Sequence, residues 1–371
     1  FPPLQIPGLS LEENILDAID HKDYLLNAPY QDFSYVIKFL REAALDPKVK
    51  SIKITIYRLS KVSHIASALI NAAKNGKKVL VQIELQARFD EENNINFAEQ
   101  LEDAGVHLIF GIPGLKVHSK ICVIEREHQR KKRRYGFIST GNFNESTAKI
   151  YTDYTLFTAN QKILKEVNRV FSFLEVSYKI KKYKHLIVSP HYTASALSKL
   201  IDQEILNHKI GLPSGISLKL NNITNYPLVN KLYEASRAGV KVKLIVRGIC
   251  CLVPGVKGLS DNITVLSVVD KFLEHPRVFI FENAGEKKIY LSSADFMTRN
   301  IENRIEVACP IYDKDLQQQI IDTFNISWED NVKARIVNQS PQNKRVKPKD
   351  GAASQRSQWT TYDYYKNKLT Q

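Results

Sequence analysis

His118 is followed two residues later by Lys120 in "GIPGLKVHSKICVIE", and His275 is followed two residues later by Arg277 in "FLEHPRVFIFENAG". An imidazole beside a fixed cation suits phosphoryl chemistry. The neutral ring can attack phosphorus and split one difficult transfer into two easier ones, while the cation holds the phosphate oxygens. A small polar turn comes next in each case, "STGNFNE" (139–145) and "SSADFMT" (292–298). Asn142 and Asp295 in these turns precede Asp153 and Glu306 by the same eleven residues. Lys120, Asn142 and Asn144 are therefore candidate donors to an anion, with Arg277 as their counterpart from the second segment. Asp153 and Glu306 are candidate carboxylates for orienting the two rings. The bland alternatives are a hydrogen-bonded core histidine for His118 and strand-end salt bridges for the carboxylates.

These residues need elements that bring them to one edge. A strand period of two through "KVHSKICVI" places His118, Lys120 and Cys122 on one face. Before it run a strand at 51–58, a helix at 63–76 closed by Gly76, a strand at 77–85, a helix at 94–105 closed by Gly105 and a strand at 106–110. The order then begins again, with strands at 215–222, 240–248 and 263–269 and a helix at 229–239. Val106 stands twelve residues before His118 and Ile263 twelve before His275. This is an internal duplication. It predicts an α/β protein of two tandem duplicated domains, 1–183 and 184–371, each a mixed β-sheet flanked by helices, paired by pseudo-twofold symmetry. The boundary falls in the basic, aperiodic "SYKIKKYKH", and the polar segment 338–371 reads as a flexible extension whose Tyr and Trp residues dock on the body. Arg58, Arg88 and Arg247 end strands, where anionic ligands gather in α/β sheets.

The chain has 371 residues, 43% of them hydrophobic, which is enough for a sizeable core, and it carries a net charge of +14. The excess of Lys and Arg favours an anionic partner such as phosphate compounds, nucleic acid or an acidic membrane surface. The basic run "RKKRR" (130–134) reads as a solvated hairpin loop rather than a nucleic-acid patch. The four cysteines, at 122, 250, 251 and 309, lack zinc-site or disulfide spacing, which fits a reducing cytoplasm. No apolar run reaches the roughly 20 residues of a membrane span. The start "FPPLQIPGLS", without methionine, suggests a piece of something longer.

His-x-Lys followed by a Gly-Asn turn resembles the phospholipase D superfamily. The longer phrases "TIYRLSK", "GKKVLVQIELQARFDEE", "AGVHLIFGIPGLKVHSK", "STGNFNESTAKIYTDYTLFTA" and "LIVRGICCLVPGVKGLSDNI" resemble the two carboxy-terminal domains of the long-chain, first-family polyphosphate kinases of bacteria. That resemblance runs over nearly all of 20–335. It implies a magnesium-dependent enzyme that moves the terminal phosphoryl of ATP reversibly onto polyphosphate. In that family the position matching His118 is the phosphorylated nucleophile, and Tyr151, Arg247 and His275 match nucleotide and phosphate contacts. Arg58 and Arg88 match arginines beside the magnesium–phosphate site. Arginine is no metal ligand, so the ion is expected on substrate phosphates and water. His275 is expected to handle the proton at the leaving or entering oxygen.

The resemblance further implies ATP, ADP and polyphosphate as partners, no nucleic acid, a homo-oligomer in the full-length protein, and a cytoplasmic place with peripheral contact at the inner membrane face. Family members also carry two amino-terminal domains, which leaves the present half weak or inactive alone in ATP-dependent synthesis. His-x-Arg with Asp295 in place of asparagine departs from the first motif and implies functional asymmetry between the lobes. A phospholipase D-type phosphodiesterase or nuclease, and a non-catalytic polyanion-binding module, are the rival readings.

Overall fold

Ser63 and Asn225 start two helices in the same way. The Ser63 hydroxyl accepts from the Ala66 N–H at 3.2 Å, and the Asn225 amide oxygen accepts from the Leu228 N–H at 3.1 Å. Both helices end just before a glycine in the left-handed region, Gly76 (φ +77°) and Gly239 (φ +100°). The computed structural model describes residues 1–84, 91–129, 131–177, 181–338, 343–348 and 353–370.

The chain divides into two units, the first up to Leu186 and the second Ile187–Tyr364, with the residues from Tyr365 onward grouped with the first. The first unit contains α1 (Ile15–His21), β1 (Tyr24–Ala28), α2 (Ser34–Leu45), β2 (Val49–Ile56), α3 (His64–Lys74), β3 (Lys78–Ile83) and α4 (Glu91–Asp103). It continues with β4 (His107–Ile109), β5 (Lys116–Val117), β6 (Lys120–His128), β7 (Lys131–Ser139), β8 (Tyr151–Thr158) and α5 (Gln161–Glu175). Its sheet has the order β1-β8-β7-β6-β2-β3-β4. β2, β3 and β4 are parallel and the other pairs antiparallel. Phe39 of α2 and Leu69 of α3 close one face over Ile52, Ile54, Val81 and Phe137, all fully buried.

The second unit contains β9 (Ile187–Val188), α6 (Thr193–Lys209), β10 (Ile216–Leu220), α7 (Tyr226–Arg237), β11 (Val242–Val246), β12 (Ile263–Ser267), β13 (Leu273–Glu274) and β14 (Arg277–Phe281). Then come β15 (Lys288–Ser292), α8 (Thr298–Glu302), β16 (Arg304–Ile305), β17 (Val307–Pro310), α9 (Lys314–Trp328), β18 (Arg335–Val337) and the start of α10 (Ser357–Lys368). Its sheet has the order β18-β12-β11-β10-β14-β15-β17-β9. Read from β9, this is the first sheet's order again, strand for strand and direction for direction, with β18 added at the edge. The duplication expected from the histidine spacing is thus a duplication of topology.

Two expectations need correction. The strand through His118 is interrupted: His118 and Ser119 lie between β5 and β6. Thr55 of β2 fills the gap, its hydroxyl donating to the Ser119 carbonyl at 2.7 Å and accepting from the Ile121 N–H at 3.0 Å. A side chain thus replaces a ladder bond, and His118 is released from the regular alternation. The segment after residue 338 is also not a uniformly flexible extension, because α10 lies within it and buries Gln358, Thr361 and Tyr365. The Tyr365 hydroxyl accepts from Asn27 Nδ2 at 3.0 Å, as expected of a docking tyrosine, whereas Trp359 stays exposed.

Candidate active site

In the first unit the site is built where β2 ends and β6 begins. The His118 ring meets the Tyr57 ring edge to face, 5.2 Å between centroids and 85° between planes. Lys120, only 2% exposed, donates from Nζ to the His118 carbonyl, and its ammonium lies 5.5 Å from the centre of the same Tyr57 ring. The guanidinium of Arg58, the next residue in the chain, lies 5.6 Å from the centre of that ring. One aromatic residue therefore contacts the histidine, the lysine and the arginine, and two cations attract its electron-rich face.

The turn after β7 supplies the second wall. Ser139 Oγ donates to the Tyr154 carbonyl at 2.9 Å and accepts from the Gly141 N–H at 3.1 Å; Thr140 Oγ1 donates to Asp153 Oδ1 at 2.6 Å. The turn passes so close to Asp153 that a Cβ on Gly141 would lie 1.9 Å from Asp153 Oδ2. Gly141→Ala should therefore push the carboxylate aside and cost about 1–3 kcal/mol of stability; a urea midpoint equal to wild type would contradict this. The Asn144 amide oxygen accepts from the Ser146 and Thr147 N–H groups at 3.0 and 2.9 Å, which leaves donation to its Nδ2. Asn142, half-buried, and Tyr151, at the start of β8, stand at the two ends of this turn. Glu145 ties the turn to the loop after Arg58. Its carboxylate accepts from Ser60 Oγ at 2.6 Å and from the His64 N–H at 2.8 Å at the positive end of α3.

The second unit repeats the plan with different chemistry. Asn221, the residue after β10 as Tyr57 is after β2, donates from Nδ2 to the His275 carbonyl at 2.9 Å and accepts at Oδ1 from Arg247 Nε. Arg277, 5% exposed, donates to the His275 carbonyl at 3.0 Å, lies 3.1 Å from His275 Nε2, and forms an ion pair with Asp295 at 3.0 Å. The same guanidinium nitrogen lies 3.5 Å from His275 Nδ1, so Arg277 reaches both the ring and the carbonyl of His275. Burial pushes the Asp295 carboxyl up, but Arg277 and the Asn221 and Asn222 N–H groups outweigh it and hold the carboxyl below its ordinary value. Glu306, 1% exposed, is held by Ser293 and Asn300.

The basic run is not a loop where it is described: Lys131–Arg134 open β7 and pair with β6, with Arg133 bound to Asp20 at 2.7 Å and Arg134 to Glu125 at 2.9 Å. Arg88 and Arg130 lie outside the described residues. Burial pushes the Cys250 thiol up to about 11 and the Cys122 thiol upward as well, so neither is a thiolate nucleophile near neutrality. Among the described residues no group of three His, Cys, Asp or Glu side chains could cage a metal ion, and no helix is long and apolar enough to cross a membrane. Reasoning on sequence passed over Tyr57, Asn221 and Glu145. The first two carry a signal nonetheless, since each is the residue directly after the first parallel strand of its repeat.

Two family models divide the chain between them: polyphosphate kinase C-terminal domain 1 matches residues 14–180, and polyphosphate kinase C-terminal domain 2 matches residues 186–358. The chain belongs to the polyphosphate kinase family. The polyphosphate kinase of Escherichia coli (strain K12) is 51% identical over 354 residues, covering 95% of this chain and 51% of that protein. The crystal structure of the family member from Porphyromonas gingivalis superposes with a TM-score of 0.92 at 40% identity, covering 99% of this chain and 56% of the other. The chain spans about half the length of the curated relatives it matches. The fold alone is shared more widely: a phosphatidylserine synthase from Haemophilus influenzae matches with a TM-score of 0.56 at 12% identity over 98% of this chain. The two mixed sheets thus follow a fold that is not confined to this family.

Proposed function

We propose that this chain is the catalytic half of an enzyme that transfers the γ-phosphoryl group of ATP reversibly to polyphosphate through a phosphohistidine on His118. The observation that carries the reading is the placement of His118 in a strand break, against Tyr57 and beside a buried lysine, within a chain of the polyphosphate kinase family. A ring nitrogen of His118 attacks the γ-phosphorus; the N–P bond forms as the P–O bond to ADP breaks, and ADP leaves. A terminal phosphate oxygen of polyphosphate then attacks the same phosphorus, and the N–P bond breaks. Arg58, Arg88 and Arg247 offset the charge on the transferring oxygens, with Asn142 and Tyr151 as further polar contacts.

His275 manages the proton on the leaving or entering oxygen. Arg277 serves that ring, since its own charge is already met by Asp295. Magnesium, the cofactor the family chemistry calls for, would arrive on the phosphates of ATP, because the described residues offer it no cage. Incubating the full-length protein with γ-labelled ATP, or with labelled polyphosphate, should give protein-bound label that is lost in acid and kept in base. An acid-stable label, or none from either donor, would overturn the reading.

A further inference from the structure

The segment that delivers His275 is held by residues some eighty positions later in the chain. Gln358, at the start of α10 and 1% exposed, makes a reciprocal pair with the main chain of Phe272. Its Oε1 accepts from the Phe272 N–H at 2.9 Å and its Nε2 donates to the Phe272 carbonyl at 2.9 Å. The same Nε2 donates to Glu274 Oε1 at 2.7 Å. One residue earlier but one, Arg356 grips Asp270 through two guanidinium nitrogens. The helix start is itself anchored, because the Ser357 N–H donates to Asp330 Oδ2 at 2.7 Å, and Asp330 Oδ1 accepts from the N–H groups of Val332, Lys333 and Ala334. Glu274 has a second tie, a 2.7 Å ion pair to Lys219 of β10, which also donates to Ser327 of α9 at 3.1 Å.

Residues 270, 272 and 274, which run through the bend at 271–272 into β13, are thus each fastened by 356 or 358, and the next residue is His275. An apolar residue at 358 would serve mere packing. A buried amide that copies a peptide edge fixes the height of the segment along its axis, and leaving its partners unmet would cost about 1–3 kcal/mol for each buried polar group. Glutamine suits the task because it donates and accepts in one plane with the reach that asparagine lacks.

We propose that Gln358 is a positioning residue for His275, setting the ring's place through Phe272 and Glu274. This rests on the phosphoryl-transfer reading given above. The test is steady-state kinetics of the full-length protein carrying Gln358→Ala or Gln358→Met, in both directions and across pH. We expect kcat to fall about ten- to hundredfold with KM for ATP and polyphosphate within about twofold of wild type. The limb of the kcat–pH profile that His275→Ala removes should move in the Gln358 variants and in no way depend on substrate concentration. A folded variant with unchanged kcat, or with raised KM and an unmoved pH limb, overturns the proposal. So does loss of fold in both variants, which would make the clamp structural. Absence of turnover in the wild type would instead sink the phosphoryl-transfer reading, so the two failures are separate.

Discussion

His118→Ala should remove the acid-labile label and lower turnover by about 10⁴-fold or more, equivalent to at least ~5.5 kcal/mol of transition-state stabilisation. No neighbour can stand in for the ring. Lys120 is buried and donates to the main chain of residue 118 itself, Tyr57 presents its ring face to cations, and Cys122 is buried with its thiol pushed up. The fold should tolerate the change. His118 is partly exposed, and the edge-to-face contact with Tyr57 that it loses is worth about 0.5–1.5 kcal/mol. Polyphosphate binding should therefore survive, since arginines and the net charge of +14 are untouched. Label retained on the alanine variant would move the nucleophile elsewhere. Binding and turnover lost together, with a collapsed melting profile, would show that His118 is structural.

The second large effect concerns stability rather than rate. Asp295→Asn restores the residue type that the first repeat carries at Asn142, yet it should destabilise the protein by about 3–5 kcal/mol, because it removes one partner of a buried ion pair. Replacing both, as Arg277→Met with Asp295→Leu, should recover most of that loss in a denaturant melt. The pH dependence follows from the depressed carboxyl. A group whose folded pKa lies below its unfolded value contributes stability above the unfolded value, about 4 for aspartate, and loses it as pH falls through the folded one. The acid limb of wild-type stability below about pH 4 should thus contain a component that Asp295→Asn lacks. Equal stabilities at pH 7 would show that the pair is not paired in solution as it is here.

The parallel strands and their helices were legible because their signals are local. Ser63 and Asn225 cap, Gly76 and Gly239 terminate, and the apolar period of two or of 3.6 lies between. The repeat was legible because it copies spacing. The break at His118 was not, since the group that fills it, the Thr55 hydroxyl, comes from a strand more than sixty residues away. α10 escaped for a related reason. Its buried positions 358, 361 and 365 have helical spacing but hold Gln, Thr and Tyr, so no apolar stripe marks them. Arg277 looked like a phosphate donor because spacing shows the cation and not its burial against Asp295.

Each repeat has its own strand order and encloses its own set of buried side chains. A gene organised this way can accumulate change in one copy while the other still folds. At the positions where the first repeat has Lys120 and Asn142, the second has Arg277 and Asp295 joined in a buried ion pair. Swapping these residue pairs between copies would ask whether the two histories have become irreversible.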